Sequence, residues 1–158
     1  MQHKDIYNKG YQDGQDIFAS VYRDTEPIGR GITGVYGIQD YKDELIWNFN
    51  DVEENRRQFS PFEFFAKEIN ESDNSEELWD AYDQGIADAL NDELEQIRVP
   101  IREEIAADIT QEILDESNSE IKIAGYTYDA GYVLRKIDPI AFREEVLNYV
   151  DAEGLEIV

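Results

Sequence analysis

The sequence predicts a mostly helical α+β fold, with a small antiparallel sheet packed by four to six helices. Three observations carry that prediction. Apolar residues recur every three or four positions through most of the chain, proline-containing caps punctuate it, and only a few short stretches are rich in glycine and β-formers. At 158 residues, 41% of them hydrophobic, the chain has material for a real core and reads as a single domain, residues 1–158.

The elements follow in order. In "DIYNKGYQDGQDIFASVY", Tyr7, Tyr11, Gly14, Phe18 and Val21 fall on one face of a helix from about Lys4 to Tyr22. Gly10 and Gly14, four apart, suit close packing of another element against bare backbone. "EPIGRGITGVYGIQDYKDELIWNFND" is rich in glycine and β-formers and predicts strands near 31–38 and 44–49. "FSPFEFFAKEIN" opens a helix, with Ser60 as cap, Pro61 at the first position and Glu63 completing a capping box; Phe62, Phe65, Ala66 and Ile69 form its apolar face. "NESDNSEE" then makes a loop and a cap.

A long helix runs from about Ser75 to Arg98, with Leu78, Tyr82, Gly85, Ile86, Ala89, Leu94 and Ile97 on its buried side. Pro100 is expected to break the chain before a second helix carrying Ile101, Ile105, Ile109 and Ile113 as a stripe. "SEIKIAGYTY" reads as strand and "YDAGYVLRKI" as a short helix. "DPIAFREEVLNYV" reads as a helix capped by Asp138 with Pro139 at its first position, and "GLEIV" as a closing strand. "YQDG", "YDQG" and "YDAG" share a tyrosine three residues before a glycine, a packing habit and not a solenoid repeat.

Charge is the anomaly. Thirty-seven acids against fourteen bases leave −23. Residues 1–70 hold 13 acids and 8 bases, residues 121–158 hold 7 and 4, and residues 71–120 hold 17 acids with only Arg98 and Arg102. About two thirds of the excess therefore lies in an acidic helical pair over 71–120. Halophilic adaptation spreads acid evenly and depletes isoleucine and lysine, which is not the pattern here. A chain so charged repels nucleic acid and anionic membranes and attracts basic surfaces. No apolar run approaches a bilayer span, and the start lacks the basic-then-apolar order of a signal peptide, so a cytoplasmic location is expected.

Catalytic options are few. With no cysteine and one histidine, His3, near a terminus, thiol chemistry is excluded, and zinc sites and Ser-His catalysis are disfavoured. Gly29–Gly34 spells GxGxxG, but a dinucleotide fingerprint needs a strand before it and a helix after it, and "TEPI" precedes it. Residues 70–77 lack the glycine and closing glutamate of an EF-hand. Glu104, Asp108 and Glu112 lie one helical turn apart, a pattern more often solvated than metal-loaded. Paired carboxylates for glycoside hydrolysis would need a cleft. Arg56 and Arg57, flanked by Glu53 and Glu54, suit pairing with the protein's own acids. The reading is a binding protein, not an enzyme, with no cofactor and no metal.

The candidate partner-binding residues are Glu76, Glu77, Asp80, Asp83, Asp88, Asp92 and Glu95 on the first acidic helix, with Glu93 beside them. On the second they are Glu103, Glu104, Asp108, Glu112, Asp115 and Glu116. Like charges four apart cost about 0.2–0.5 kcal/mol each, and acids such as Asp115 in a last turn about 0.3–1 kcal/mol. Solubility needs far less charge. Carboxylates one turn apart are separated by about 6 Å, close to the roughly 6–7 Å between successive phosphates of a strand. Two helices joined at a proline bend would thus offer a basic groove a row of negative points in place of a nucleic-acid backbone.

The segments "ENRRQFSPFEFFAKEIN", "LWDAYDQGIADAL" and "VLRKIDPIAFREEVLNYVD", about 50 of 158 residues, resemble recurrent segments of small phage-encoded proteins without an assigned activity. That resemblance carries no site residues with it. The charge pattern separately resembles DNA-mimic inhibitors of restriction and CRISPR nucleases. Together they imply a phage-borne inhibitor that occupies the nucleic-acid channel of a host defence nuclease or surveillance complex, a basic nucleic-acid-binding protein. The alternatives are an immunity protein against a toxin nuclease, a phage structural or assembly protein docking a basic partner, and an acid-rich hydrolase or metal-dependent enzyme. A homodimer formed through exposed Ile and Tyr stripes is a further possibility.

Overall fold

Helical periodicity dominates the computed structural model, which describes residues 2–31, 34–35, 37–57 and 66–158. The helices are α1 (His3–Asp24), α2 (Ile38–Arg56), α3 (described over 66–70), α4 (Ser75–Gln96), α5 (Glu103–Ser117), α6 (Ala130–Ile137) and α7 (Pro139–Ala152). The short strands are β1 (Arg30–Gly31), β2 (Gly34–Val35), β3 (Val99–Ile101), β4 (Ile121–Ile123), β5 (Tyr126–Tyr128) and β6 (Leu155–Ile157). The chain divides into two compact units, one of residues 1–25 and 42–97, the other of residues 26–41 and 98–158. The acidic segment 71–120 runs through both, with α4 in the first and α5 in the second.

In the first unit, α1 and α4 pack against each other along their lengths. Glycines permit it. A Cβ on Gly10 would strike the Tyr82 carbonyl oxygen. One on Gly14 would lie 2.8 Å from the Ala89 Cβ, and one on Gly85 2.7 Å from the Tyr11 amide nitrogen. The buried side of α4 is Leu78, Ala81, Tyr82, Gly85, Ile86 and Ala89, as the periodicity predicts, while Leu94 and Ile97 remain half-buried. Leu45 and Phe49 of α2 and Ile69 of α3 are also in the core.

The second unit holds the strands, and here the expected single antiparallel sheet is corrected. β1–β2 and β4–β5 are separate antiparallel hairpins, whereas β3 and β6 pair in parallel. A parallel pair requires a long crossover, which α5, the second hairpin, α6 and α7 supply. Pro100 does not join two helices at a bend; it is the middle residue of β3. The Val99 amide donates to Gly154 and the Ile101 carbonyl accepts from Val158, while the Pro100 carbonyl accepts from Ile28 on the other side. On that side the partner is only the one-residue bridge Ile28↔Ile101, so the amide that proline lacks leaves no ladder bond unmade.

The strand expected over 44–49 is a helix. Tyr41, Leu45 and Phe49 are buried at spacings of four, and Trp47, which suggested a strand, is exposed. The 31–38 expectation shrinks to β1–β2, with 38 already helical. Arg30–Gly31 pairs antiparallel with Gly34–Val35, so the GxGxxG stretch runs first into strand, as expected, and α2 follows only from Ile38. Among the described residues this is not the strand leading directly into a helix that a dinucleotide fingerprint needs. The capping box at Ser60, Pro61 and Glu63, with Phe62 and Phe65, lies outside the described residues. The stripe on α5 is also shifted. Ile105, Ala106 and Thr110 are buried, Ile109 is half-buried and Ile113 is exposed. The Asp138 cap is as expected, its carboxylate accepting from the Ala141 amide at 3.0 Å.

Candidate functional site

On α4, the packing against α1 decides which carboxylates face outward. Tyr7 donates to Asp88 and Tyr11 to Asp92, each at 2.7 Å, and Gln15 reaches Glu93 at 3.5 Å. Residues four apart on α1 meet residues four apart on α4 in the same order, so the helices run parallel. Asp88 and Asp92 are thus acceptors for a neighbouring helix and not free surface charges. Their hydrogen bonds raise the Tyr7 and Tyr11 phenols above the ordinary tyrosine value. Below them Tyr82 donates to buried Asp13 at 2.8 Å, and burial first, then Asp13, pushes the Tyr82 phenol far up. Asp13 also receives Lys9 at 2.5 Å.

Asp83 pairs with Arg57, which also binds Glu53 and lies over the Trp79 and Tyr82 rings. The expected pairing with the protein's own acids is seen in Arg57, whereas Arg56 donates to the Asp13 backbone carbonyl and not to a carboxylate. The remaining predicted residues of α4, Glu76, Glu77, Asp80 and Glu95, are exposed. Glu76 and Glu77 occupy the first turn, where the helix dipole favours acid by about 0.3–1 kcal/mol.

On α5, Glu103 pairs with Arg143 of α7, and Asp108 with Arg135 of α6 at 3.1 Å. The one-turn stripe Glu104–Asp108–Glu112 is therefore interrupted by a guanidinium, which also lies 5.3 Å from the Phe142 ring centre. Asp115 sits in the last turn of α5, where its own helix dipole disfavours it. Its carboxylate accepts from the Gly131 amide at 2.7 Å and the Tyr132 amide at 3.2 Å, both in the first turn of α6. The unfavourable end of one helix is offset by the favourable end of the next. Gly131 makes this approach possible, since a Cβ there would lie 2.6 Å from that same oxygen and 2.5 Å from the Gln111 carbonyl. Glu104, Glu112 and Glu116 are exposed.

Of the thirteen predicted residues, Asp83, Asp88, Asp92, Glu103, Asp108 and Asp115 are engaged by the protein's own groups. Glu76, Glu77, Asp80, Glu95, Glu104, Glu112 and Glu116 stand open, and among the described residues none of these seven makes an ion pair. An unbroken file of carboxylates is not present on either helix. Each helix instead offers a group of exposed carboxylates interleaved with Gln84, Ala87 and Asn91 on α4 or with partnered acids on α5. Among the described residues no three His, Cys, Asp or Glu side chains converge in a way that could hold a metal ion, and no helix is long and apolar enough to cross a membrane.

The charge reading missed an apolar surface on the second unit. Ile123, Tyr126, Tyr132 and Ile137 are exposed on the β4–β5 hairpin and α6. The alternation "IKI" and "YTY" around a tight turn was the signal that could have revealed it. Comparison with protein-family models, curated proteins and solved structures found no match.

Proposed function

We propose that this chain acts by binding and not by catalysis, as an acidic inhibitor whose α4 and α5 carboxylates engage the nucleic-acid-binding groove of a basic host protein, a defence nuclease or surveillance complex. The observation that supports this reading is the set of seven exposed carboxylates without an ion-pair partner. It is backed by the arithmetic of the whole chain: fourteen bases cannot neutralise 37 acids, so a net charge of −23 is left for outside cations to balance. Such a field accelerates encounter with a basic groove and repels the nucleic acid that competes for it.

With Asp88, Asp92, Asp108 and Asp115 occupied internally, each helix carries its own candidate contact, Glu76, Glu77, Asp80 and Glu95 on α4 and Glu104, Glu112 and Glu116 on α5. The test is inhibition of DNA cleavage by a nuclease fraction of the host, with the chain and two charge-reversed variants, Glu76→Lys/Glu77→Lys/Asp80→Lys and Glu104→Lys/Glu112→Lys/Glu116→Lys. Inhibition is expected to weaken steeply between 50 and 200 mM salt, on the order of tenfold or more, and to fall at least about tenfold in one of the two variants. Unchanged inhibition curves for both variants, or no dependence on salt, would overturn the reading.

A further inference from the structure

Two stretches of the first unit have the same form. "WDAYD" on α4 and "WNFND" on α2 each place a tryptophan four residues before an aspartate, Trp79 with Asp83 and Trp47 with Asp51. Four residues apart on a helix, the members of each pair share a face. On α4 that face is filled from within. The Arg57 guanidinium lies 5.8 Å from the Trp79 ring centre and pairs with Asp83, while Glu53 of α2 holds it from the other side. A planar cation that stacks on an indole and takes the carboxylate beside it is an arrangement suited to arginine more than to lysine.

On α2 the same pair is open. Trp47 is 69% exposed, Asp51 is exposed, and among the described residues neither has a cationic partner. Asp51 accepts from its neighbour Asn55 at a long 3.4 Å. Glu44 and Glu54, three residues before Trp47 and seven after it, lie exposed on the same face, while Asp43 beside them is engaged by another group. The bases of this stretch, Lys42 and Arg56, fall on the far side of the helix. Asp51 also borders a cleft of about 220 Å³ lined by Ser20, Asp24, Thr25 and Asn48, so its carboxylate has open room beside it.

Charge complementarity selects the occupant. Carboxylates surround the indole with no base on their face, so a second copy of this acidic surface is repelled and a cation is drawn in. We infer that Trp47 and Asp51 form an arginine-binding site, which takes an exposed arginine side chain of a basic partner protein as Trp79 and Asp83 take Arg57. The site lies apart from the α4 and α5 carboxylates and does not rest on the proposed inhibitory role.

The test titrates the full chain with a hexa-arginine peptide and, separately, with a hexa-lysine peptide of equal charge, near physiological salt. The indole N–H signals of Trp47 and Trp79 are followed by NMR, and affinity by calorimetry. The arginine peptide is expected to shift the Trp47 signal and leave that of Trp79, whose ring already has its guanidinium, in place. It is expected to bind at least about threefold more tightly than the lysine peptide, and to lose at least about threefold in Trp47→Leu and in Asp51→Asn. Glu77→Gln removes the same single charge from exposed α4 and is expected to change affinity less than about twofold.

The wild-type comparison of the two peptides needs no variant, so it stands whatever a substitution does to folding. Equal affinity for the two peptides, or equal losses in Asp51→Asn and Glu77→Gln, would mean that diffuse charge does the binding and would overturn the site. So would a Trp47 signal that stays still, or one that moves with chain concentration alone, which would put a second copy on this face. No nuclease is present in the titration, so a failure of inhibition and a failure of this site are read separately.

Discussion

The α1–α4 seam and the β4–β5–α6 surface use tyrosine and small residues in opposite ways. In the seam, glycines bring two parallel helices so close that Tyr7, Tyr11 and Tyr82 each find a carboxylate on the facing helix, and the acids become part of the interior bonding. On the hairpin, Tyr126 and Tyr128 find no such counterpart among the described residues, and their rings face outward with Ile123. The difference teaches that acid content and surface charge are separate quantities in this molecule. An acid's role follows from which helix lies across from it, and the apolar surface is found where the acids thin out.

The sharpest way to break the comparison is to give the seam a methyl group. Gly85→Ala would drive a Cβ into the Tyr7 carbonyl and the Tyr11 amide, backbone atoms that cannot turn aside. A loss of about 3 kcal/mol or more is expected, read from the midpoint of urea unfolding; a change under about 0.5 kcal/mol would mean the helices are not in close contact. Next in size is Asp115→Ala, which strips the first-turn amides of α6 of their acceptor and should cost about 1–2 kcal/mol. Its neighbour Glu116→Ala, exposed and unpaired, should stay within about 0.5 kcal/mol. Equal effects in the two would remove the assigned role of Asp115.

A smaller effect than that of Asp115, and of opposite sign, is expected in the hairpin turn, where Ala124 (φ 51°) and Gly125 (φ 86°) both occupy left-handed backbone. Such a two-residue turn prefers Asn-Gly, so Ala124→Asn should stabilise by about 0.5–1 kcal/mol in the same assay. A loss of stability there would contradict the turn geometry.

Much of the helical scaffold was legible because burial imposes a period. Leu78, Tyr82, Gly85, Ile86 and Ala89 were assigned to the core from spacing, and Asp138-Pro139 marked a helix start through local chemistry alone. The tyrosine-before-glycine echo was legible as packing, and Gly14, Gly85 and Gly131 each lack room for a side chain. The helix over 38–56 was obscured by composition, since Ile46, Trp47 and Phe49 favour strands while the buried set Tyr41, Leu45 and Phe49 keeps helical spacing. Pro100 was read by its usual effect on helices, and only the partners on either side of β3 explain why a strand accepts it.

The roles of the carboxylates were the least legible. Asp88 and Asp92 looked outward on a helical wheel because the sequence does not say that α1 lies beside them. Asp115 looked like a penalty because its beneficiary, the α6 amides, is 16 residues away.

Neither compact unit is a continuous stretch of chain: the backbone passes from the first to the second after Thr25, returns within α2, and leaves again after Ile97. No single cut separates them. A fragment beginning at Arg98 would lose Ile28 and leave one border of β3 bare, and a fragment of residues 42–97 would lose α1 and open the Gly85 notch to water. Dissection by truncation will therefore misreport both halves, and the parts of this molecule have to be interrogated by point changes in the intact chain.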